Sequence, residues 1–216
     1  VILHGYCGFW GKFHEMAEYY WQAGYDVFFL EQRGHGYSGR QTDDKDMVHV
    51  NDYTDYIKDL SFQLSPHSFF QVNPQQTTVL YDTALDFAAL KGHETVIDAY
   101  CGTGTISLFL AHKAKHVIGI EIVAPAIEDA KKNALRNGYN NTEFIVGDAA
   151  VEMPRLYRQG IEPDVIVFDP IRAGCKEDVL HAAVGMGPER IVYVSCNPSS
   201  MARDIEILTK QGYQLV

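Results

Sequence analysis

The feature that most constrains the fold is a regular alternation of short apolar runs with longer amphipathic stretches along the second half of the chain. Runs without polar alternation indicate strands buried on both faces, which is typical of a parallel sheet covered by helices. The predicted strands are 95–100, 116–122, 142–146, 164–168, 190–195 and 213–216, and the predicted helices are 74–89, 105–115, 124–137, 149–159, 176–184 and 199–210. We therefore expect an α/β fold whose ligand binds beyond the carboxyl ends of the strands.

The start of the chain carries a shorter version of the same pattern. Strands at 1–3 and 26–31, with a helix at 12–23 between them, predict one further βαβ-like unit. No Gly/Ser-rich linker divides the chain, and the polar run 41–46 is the nearest thing to a boundary. The sequence predicts two domains, 1–60 and 61–216, of which the first is too small to bury a core of its own.

Charge and cysteine content argue against several classes of protein. The 216 residues include 18 Lys and Arg against 28 Asp and Glu, a net charge of -10, which is not the basic footprint of a self-sufficient nucleic-acid binder. No apolar run approaches the ~20 residues of a membrane span, and the four cysteines are too scattered for a disulfide framework or a metal site. We expect a soluble cytoplasmic protein without membrane or metal partners, of unknown oligomeric state.

Three short motifs lie within residues 1–60. They are His4-Gly5-Tyr6 after the first strand, Lys12-Phe13-His14-Glu15-Met16-Ala17 on the helix, and the run 31–39 after the second strand. Together they resemble the N-terminal part of an α/β-hydrolase of the lysophospholipase and monoacylglycerol-lipase group, which implies an oxyanion-hole N–H from Tyr6. The Gly-x-Ser-x-Gly nucleophile turn of that family is absent from the sequence, so a serine hydrolase is only an alternative function.

A glycine-containing turn follows the strand at 95–100. Gly102-Thr103-Gly104 lets a ligand approach the backbone closely, and the strand before it ends in the acid Asp98. The next two strands also lead to acids, Glu121 and Asp148, whose carboxylates can accept hydrogen bonds from ribose hydroxyls or an adenine amino group. Any one of these acids could be a helix N-cap instead. Together with the turn they favour S-adenosylmethionine, because that cofactor carries a cation and no phosphate.

A cysteine follows the strand at 190–195. Cys196 precedes the helix at 199–210, whose dipole favours a thiolate. The preceding strand ends in Asp169-Pro170-Ile171-Arg172, so we expect Asp169 and Cys196 on adjacent loops at the cofactor edge. A lone cysteine is more often a small buried apolar residue, but this placement reverses that preference.

With the upstream run 65–73, these motifs closely resemble the RNA uracil-C5 methyltransferases that act on transfer or 23S ribosomal RNA. The resemblance implies a Rossmann-like methyltransferase sheet, an RNA substrate and S-adenosylmethionine as cofactor. It makes Cys196 the nucleophile, with Asp169 as a second catalytic candidate, and it implies that the cofactor is bound by Gln71, Tyr100, Thr105, Glu121, Asp148 and Asp169. In that chemistry a thiolate adds to C6 of uracil so that C5 can take the methyl group, and a base then removes the C5 proton.

The sequence departs from that family in three ways. The family's Asp-Pro-Pro-Arg is Asp169-Pro170-Ile171-Arg172 here, its glutamate base would lie beyond Val216, and its N-terminal RNA-binding barrel and cysteine cluster have no counterpart. We therefore interpret the chain as a chimera joined near Leu60-Ser61, or as part of a longer protein, with methyl transfer impaired by truncation. A catalytically silent fusion is the remaining alternative.

Overall fold

The computed structural model describes residues 2–3, 18, 22, 29–30, 54–63 and 74–216. The chain divides into two compact units, Val1–Asp52 and Tyr53–Val216. In the first unit, strands β1 (Ile2–Leu3) and β2 (Phe29–Leu30) pair in parallel, as the predicted βαβ unit requires. The hydrolase-like motifs, and Gln71 in the second unit, lie outside the described residues.

The second unit begins with an antiparallel hairpin that the sequence analysis did not predict, and from residue 74 onward it alternates helices and strands as the sequence predicts. Its strands are β3 (Thr54–Ile57), β4 (Leu60–Gln63), β5 (Thr95–Asp98), β6 (His116–Glu121), β7 (Thr142–Val146), β8 (Val165–Phe168) and β9 (Arg190–Tyr193). Its helices are α1 (Pro74–Ala88), α2 (Thr105–Ala111), α3 (Ala124–Arg136), α4 (Ala149–Arg158), α5 (Glu177–Met186) and α6 (Pro198–Lys210). No helix among the described residues has the length and apolar character needed to cross a membrane.

Five of these strands form one parallel sheet in the order β7-β6-β5-β8-β9. The chain enters at the central strand β5, winds outward through β6 and β7, and then returns to the other side of β5 to form β8 and β9. The crevice of such a sheet opens at the carboxyl ends of the strands, where the winding reverses between β5 and β8. This confirms the predicted Rossmann-like α/β architecture.

Neighbouring residues of the central strands point into two separate apolar cores. Val96 packs on one face of the sheet with α2, α3 and the β3–β4 hairpin, whereas Ile97 packs on the other face with α4 and α5. The hairpin contributes Phe62, which is 0% exposed, to the first core. Burial of a large apolar side chain contributes about 1.5–3 kcal/mol, so the hairpin is an integral part of this unit.

One predicted element does not form in the structure. The predicted strand 213–216 is wrong, because these residues are irregular: the Tyr213 amide bonds back to the Leu208 carbonyl at the end of α6, and Leu215 and Val216 are exposed rather than covered by helices. The compact units divide after Asp52, so the hairpin in which the expected join falls belongs to the second unit.

Candidate functional site

The turn between β5 and α2, residues 99–104, forms the floor of the site; we call it the cofactor loop. Gly102 and Gly104 both have positive φ, 52° and 80°, a backbone conformation that disfavours residues with a Cβ. A Cβ added at Gly104 would lie 3.1 Å from the Ala130 Cβ and from the Phe144 ring, whereas one at Gly102 would meet nothing within 4 Å. The loop is therefore packed against the protein at Gly104 and open at Gly102, where a ligand can approach the backbone.

Asp98 lies beneath this loop at the end of β5 and is fully buried. Its Oδ2 accepts a hydrogen bond of 2.7 Å from the Ser107 hydroxyl, and its Oδ1 has no hydrogen-bond partner among the described residues. Burial raises the pKa of Asp98 to about 7, against the effect of the Ser107 bond, and the charges of Asp169 and Glu121 add to the rise. The carboxyl groups at the ends of β5, β6 and β8 thus influence one another across a single edge of the sheet.

Glu121, at the end of β6, connects its own strand to the cofactor loop. Its Oε2 accepts a hydrogen bond of 3.3 Å from the Gly102 amide, and its Oε1 accepts one of 2.9 Å from the Val123 amide. The side chain is half-buried. The carboxylate is therefore held at the loop and retains free lone pairs for a ligand.

Asp148, after β7, caps the following helix. Its Oδ1 accepts from the Ala150 amide at 3.0 Å, and its Oδ2 lies 2.7 Å from the Lys176 Nζ. The hydrogen bond from Lys176, followed by that from Ala150, lowers the pKa of this carboxyl group. The N-cap interpretation that the sequence leaves open for any of the acids thus holds for Asp148, in addition to its place at the sheet edge.

Tyr100 lies within the cofactor loop, and Thr105 follows it as the first residue of α2. The Tyr100 ring packs in a tilted arrangement on Phe168, with centroids 6.3 Å apart. The Thr105 hydroxyl lies 3.1 Å from the hydroxyl of Tyr81 on α1. Burial raises the pKa of Tyr81 to about 12, so its hydroxyl stays protonated at neutral pH and can donate to Thr105.

Asp169 and Cys196 follow the neighbouring strands β8 and β9, and the loops that carry them touch. The Arg172 carbonyl accepts hydrogen bonds from the Asn197 side-chain amide at 3.0 Å and from the Ser200 hydroxyl at 3.1 Å. Asp169 is half-buried, and burial raises its pKa to about 6, whereas Cys196 is exposed. The thiol is therefore accessible to a large substrate, on a loop that is hydrogen-bonded to the loop following Asp169.

A buried carboxylate that the sequence analysis missed fixes these two loops. Asp204 on α6 is 0% exposed; its Oδ2 accepts from the Cys175 amide at 2.7 Å and from the Tyr193 hydroxyl at 2.5 Å, and its Oδ1 accepts from the Arg203 Nε at 2.8 Å. The Arg203 guanidinium also donates to the Ala173 carbonyl at 3.0 Å. A signal was present in the sequence, because Asp204 lies four residues from buried neighbours on either side, Ser200 and Leu208, on the inner face of α6.

The sheet edge therefore carries an open glycine loop, acidic groups at the ends of β5, β6 and β8 and after β7, and an exposed thiol. Within residues 54–63 and 74–216, no three His, Cys, Asp or Glu side chains are placed to hold a metal ion. The acidic side chains of the site supply hydrogen-bond acceptors, and one buried carboxyl oxygen has no partner among the described residues. Such acceptors suit a ligand that carries hydroxyl, amino and cationic groups.

Comparison with protein families gives one match for each part of the chain. A model described as "Methyltransferase domain" matches residues 90–216, which include the whole five-stranded sheet. A model described as "Serine aminopeptidase, S33" matches residues 1–81. The first match covers more than half of the chain.

Individual relatives agree with the first match. The chain is 59% identical over 160 residues to an uncharacterized RNA methyltransferase of Halalkalibacterium halodurans, and 61% identical over 160 residues to one of Oceanobacillus iheyensis. Each alignment covers 74% of this chain and 35% of the relative, so the chain spans about a third of these proteins.

Solved structures share the fold. The tRNA (uracil-54, C5)-methyltransferase of Pyrococcus abyssi, in complex with S-adenosyl-L-homocysteine, superposes with a TM-score of 0.63 at 26% identity, over 78% of this chain and 42% of that one. A precorrin-8w decarboxylase of Methanobacterium thermoautotrophicum superposes with a TM-score of 0.61 at 20% identity, over 71% of this chain and 79% of that one, which is a likeness of fold alone. The fold is thus that of S-adenosylmethionine-dependent methyltransferases, as the sequence predicts.

Proposed function

The chain belongs to the methyltransferase-domain family, and we propose that it transfers a methyl group from S-adenosylmethionine to C5 of a uracil in RNA, either transfer or ribosomal RNA. One observation carries the uracil assignment: exposed Cys196 lies on a loop hydrogen-bonded to the loop of Asp169, at the sheet edge that holds the cofactor loop. The similarity to a tRNA uracil-C5 methyltransferase supports it.

We assign cofactor binding to Tyr100, Thr105, Glu121, Asp148 and Asp169, together with Gln71 outside the described residues. The geometry of the loop supports this assignment, since the backbone at Gly102 is open and Glu121 is already held beside it. The Oδ1 of Asp98, which has no hydrogen-bond partner among the described residues, belongs to a carboxyl group that a cationic ligand would favour in its ionised form. The bound cofactor supplies an electrophilic methyl group.

The proposed nucleophile acts on the uracil ring from the sheet edge. The Cys196 sulfur, as a thiolate, forms a bond to C6, and the electron pair of the C5–C6 double bond moves toward C5 and O4. C5 then carries the electron density needed to take the methyl group, and the S–CH3 bond of the sulfonium would break with its electron pair kept on sulfur, so that S-adenosylhomocysteine would be the leaving group. A base removes the C5 proton, the double bond re-forms, and the sulfur leaves as thiolate. Asp169, on the adjoining loop, is the second catalytic residue in this proposal.

A uracil with fluorine at C5 tests the covalent step, because fluorine does not leave as a proton does and the adduct is trapped. We expect mass spectrometry of the chain, incubated with S-adenosylmethionine and with transfer or 23S ribosomal RNA containing 5-fluorouridine, to detect a covalent protein–RNA species with one of the two RNAs. Cys196→Ala should abolish it, whereas Cys175→Ala should retain it, since Cys175 is buried. An adduct that persists in Cys196→Ala would refute the assignment.

The match of residues 1–81 to the serine aminopeptidase model supports a second candidate, ester or peptide hydrolysis by a hydrolase-like segment 1–60 joined to the methyltransferase domain 61–216. The missing Gly-x-Ser-x-Gly turn weighs against it. Labelling of the purified chain by a serine-directed fluorophosphonate, together with ester turnover, would favour this candidate. A chain that gives neither labelling nor an RNA adduct would be a catalytically silent fusion.

A further inference from the structure

Asn133, on α3, is a fully buried amide that joins the β3–β4 hairpin to the cofactor loop. Its Oδ1 accepts a hydrogen bond of 2.8 Å from the Gln63 amide, and its Nδ2 donates one of 3.2 Å to the Thr103 carbonyl. A backbone N–H can only donate and a carbonyl can only accept, so these partners define which end of the Asn133 amide faces which segment. The side chain therefore bridges two segments that are 40 positions apart in the sequence (103 − 63).

The β3–β4 hairpin, to which Asn133 bonds, is packed into the core of the second unit. Phe62 is 0% exposed and lies in the apolar core with residues of α2 and α3. The second strand of the hairpin also bonds to Asn137, the residue that follows the last turn of α3. The Asn137 Oδ1 accepts from the Ser61 amide at 2.9 Å, and its Nδ2 donates to the Ser61 carbonyl at 2.8 Å. Asn133 and Asn137 thus both bond to the hairpin. Of these two side chains, only that of Asn133 also bonds to the cofactor loop.

The bond to Thr103 acts within the cofactor loop, near its end at α2. Thr103 lies between the two positive-φ glycines and is 1% exposed, so water cannot readily replace a lost donor to its carbonyl. Next to it, Gly104 is packed against Ala130, which lies one turn before Asn133 on the same helix. The α3 helix therefore fixes the inner side of the loop while Gly102 stays open on the outer side.

We propose that Asn133 is a positioning residue for the cofactor: it orients the Thr103 peptide so that the backbone at Gly102 meets the ligand. The inference rests on the proposed cofactor site and assigns no ligand contact to Asn133 itself. It predicts that the side-chain N–H donor of Asn133 sets cofactor affinity. The separate bonds that Asn133 and Asn137 each make to the hairpin contribute instead to the free energy of unfolding.

Two matched substitutions separate these roles. Asn133→Asp and Asn137→Asp each keep a side-chain oxygen for a hairpin amide and lose an N–H donor, but only Asn133→Asp loses the donor to the loop. Titration calorimetry with S-adenosylhomocysteine should give affinity weakened by about 10-fold for Asn133→Asp, as expected for one buried bond lost, and within 2-fold of wild type for Asn137→Asp. Chemical denaturation measures the free energy of unfolding of each variant, so that a loss of affinity can be separated from a loss of stability.

A second measurement works without the cofactor. Hydrogen exchange of the amides of residues 101–105 should accelerate in Asn133→Asp and stay at the wild-type rate in Asn137→Asp. Lowering the pH should bring the cofactor affinity of Asn133→Asp back toward that of wild type at the same pH, because a protonated carboxyl can donate to the Thr103 carbonyl.

The outcomes are distinct. Equal losses of affinity and equal exchange in the two variants would overturn the inference, and so would wild-type affinity and exchange in Asn133→Asp at a pH where the introduced carboxyl group is ionised. If wild-type protein did not bind S-adenosylhomocysteine but only Asn133→Asp accelerated exchange in the loop, the proposed cofactor would be wrong while the positioning of the loop by Asn133 would stand.

Discussion

Tyr193 donates its hydroxyl to Asp204 across 2.5 Å, and the two residues lie on either side of Cys196. Tyr193 is the last residue of β9 and Asp204 lies in the second turn of α6, so their bond closes the turn that carries the thiol. Asp204 also holds the Cys175 amide in the loop that follows β8. One buried carboxylate thus fixes the relative positions of the two loops that carry Asp169 and Cys196.

Replacement of this carboxylate should loosen both loops. Asp204→Asn has the same size but presents an N–H group to donors, so some of the Cys175, Tyr193 and Arg203 groups would face another donor. We expect a loss of about 1–3 kcal/mol in the free energy of unfolding, measured by urea denaturation. Tyr193→Phe, which removes one of these donors and keeps the acceptor, should cost less; stability within ~0.5 kcal/mol of wild type in Asp204→Asn would contradict this account.

Gly174 provides a steric test of the same network. It has a φ of 82°, and a Cβ there would lie 2.5 Å from the Asp204 Oδ2 and 2.7 Å from an Arg203 guanidinium nitrogen. Gly174→Ala should therefore destabilise the protein by roughly 1–3 kcal/mol, through backbone strain and displacement of the carboxylate. Gly185→Ala is the control: a Cβ at this exposed position of α5 meets nothing within 4 Å, so the change should be neutral or raise the midpoint of thermal unfolding. Equal midpoints for the two variants would argue against the clash.

The sequence predicted the sheet because its determinants are local. Apolar runs such as 165–168 are buried on both faces, and the loops between elements begin or end at glycines and caps that the sequence displays. The prediction of the final strand was wrong because it used local composition alone. Tyr213 and its neighbours have a strand-like composition, but a strand also needs a pairing partner and a covering layer, which composition does not show.

The polar network of the site depends on long-range pairing, which a single sequence does not show. Asp148 was recognisable because it lies just after a strand, whereas Asp204 and Asn133 lie within amphipathic helices, where polar residues are ordinarily on the solvated face. Their roles appear only once the helix faces are known, since Asn133 bonds to Gln63 and Asp204 to Cys175. The uracil specificity and the binding residues stay predictions.

Glu121 provides the direct test of the cofactor site. Removing its carboxylate deletes the acceptor for the Gly102 and Val123 amides and the acceptor proposed for the ligand, so Glu121→Ala should weaken S-adenosylhomocysteine binding at least 10-fold, as measured by calorimetry. Glu128→Ala, which removes an exposed carboxylate from α3, is the charge-matched control and should retain wild-type affinity. Binding of Glu121→Ala with wild-type affinity would exclude Glu121 from the site.

Asp98 should make stability depend on pH in the neutral range. Because burial raises its folded-state pKa to about 7, above the ordinary value of 3.8, the folded protein holds a proton that the unfolded chain releases between these values. The free energy of unfolding should therefore fall as pH rises from about 4 to about 7, and Asp169, whose pKa burial raises to about 6, should add to the fall. The Asp98 contribution is on the order of 4 kcal/mol at 1.36 kcal/mol per pKa unit.

The Asp98→Asn variant isolates this contribution, because an amide of the same shape can still accept from Ser107 and carries no titrating proton. Urea denaturation between pH 5 and pH 8 should show a shallower loss of stability for Asp98→Asn than for wild type, with the two curves closest in slope above the pKa of Asp98. Asp86→Asn, the same change at an exposed position of α1, should follow the wild-type slope throughout. Parallel wild-type and Asp98→Asn stability curves across the whole range would mean that the buried carboxyl group does not titrate there.

A cationic ligand favours the ionised form of the Asp98 carboxyl group. S-adenosylhomocysteine, which lacks the sulfonium charge, should therefore bind the wild-type protein with a weaker pH dependence than S-adenosylmethionine, and this difference should shrink in Asp98→Asn.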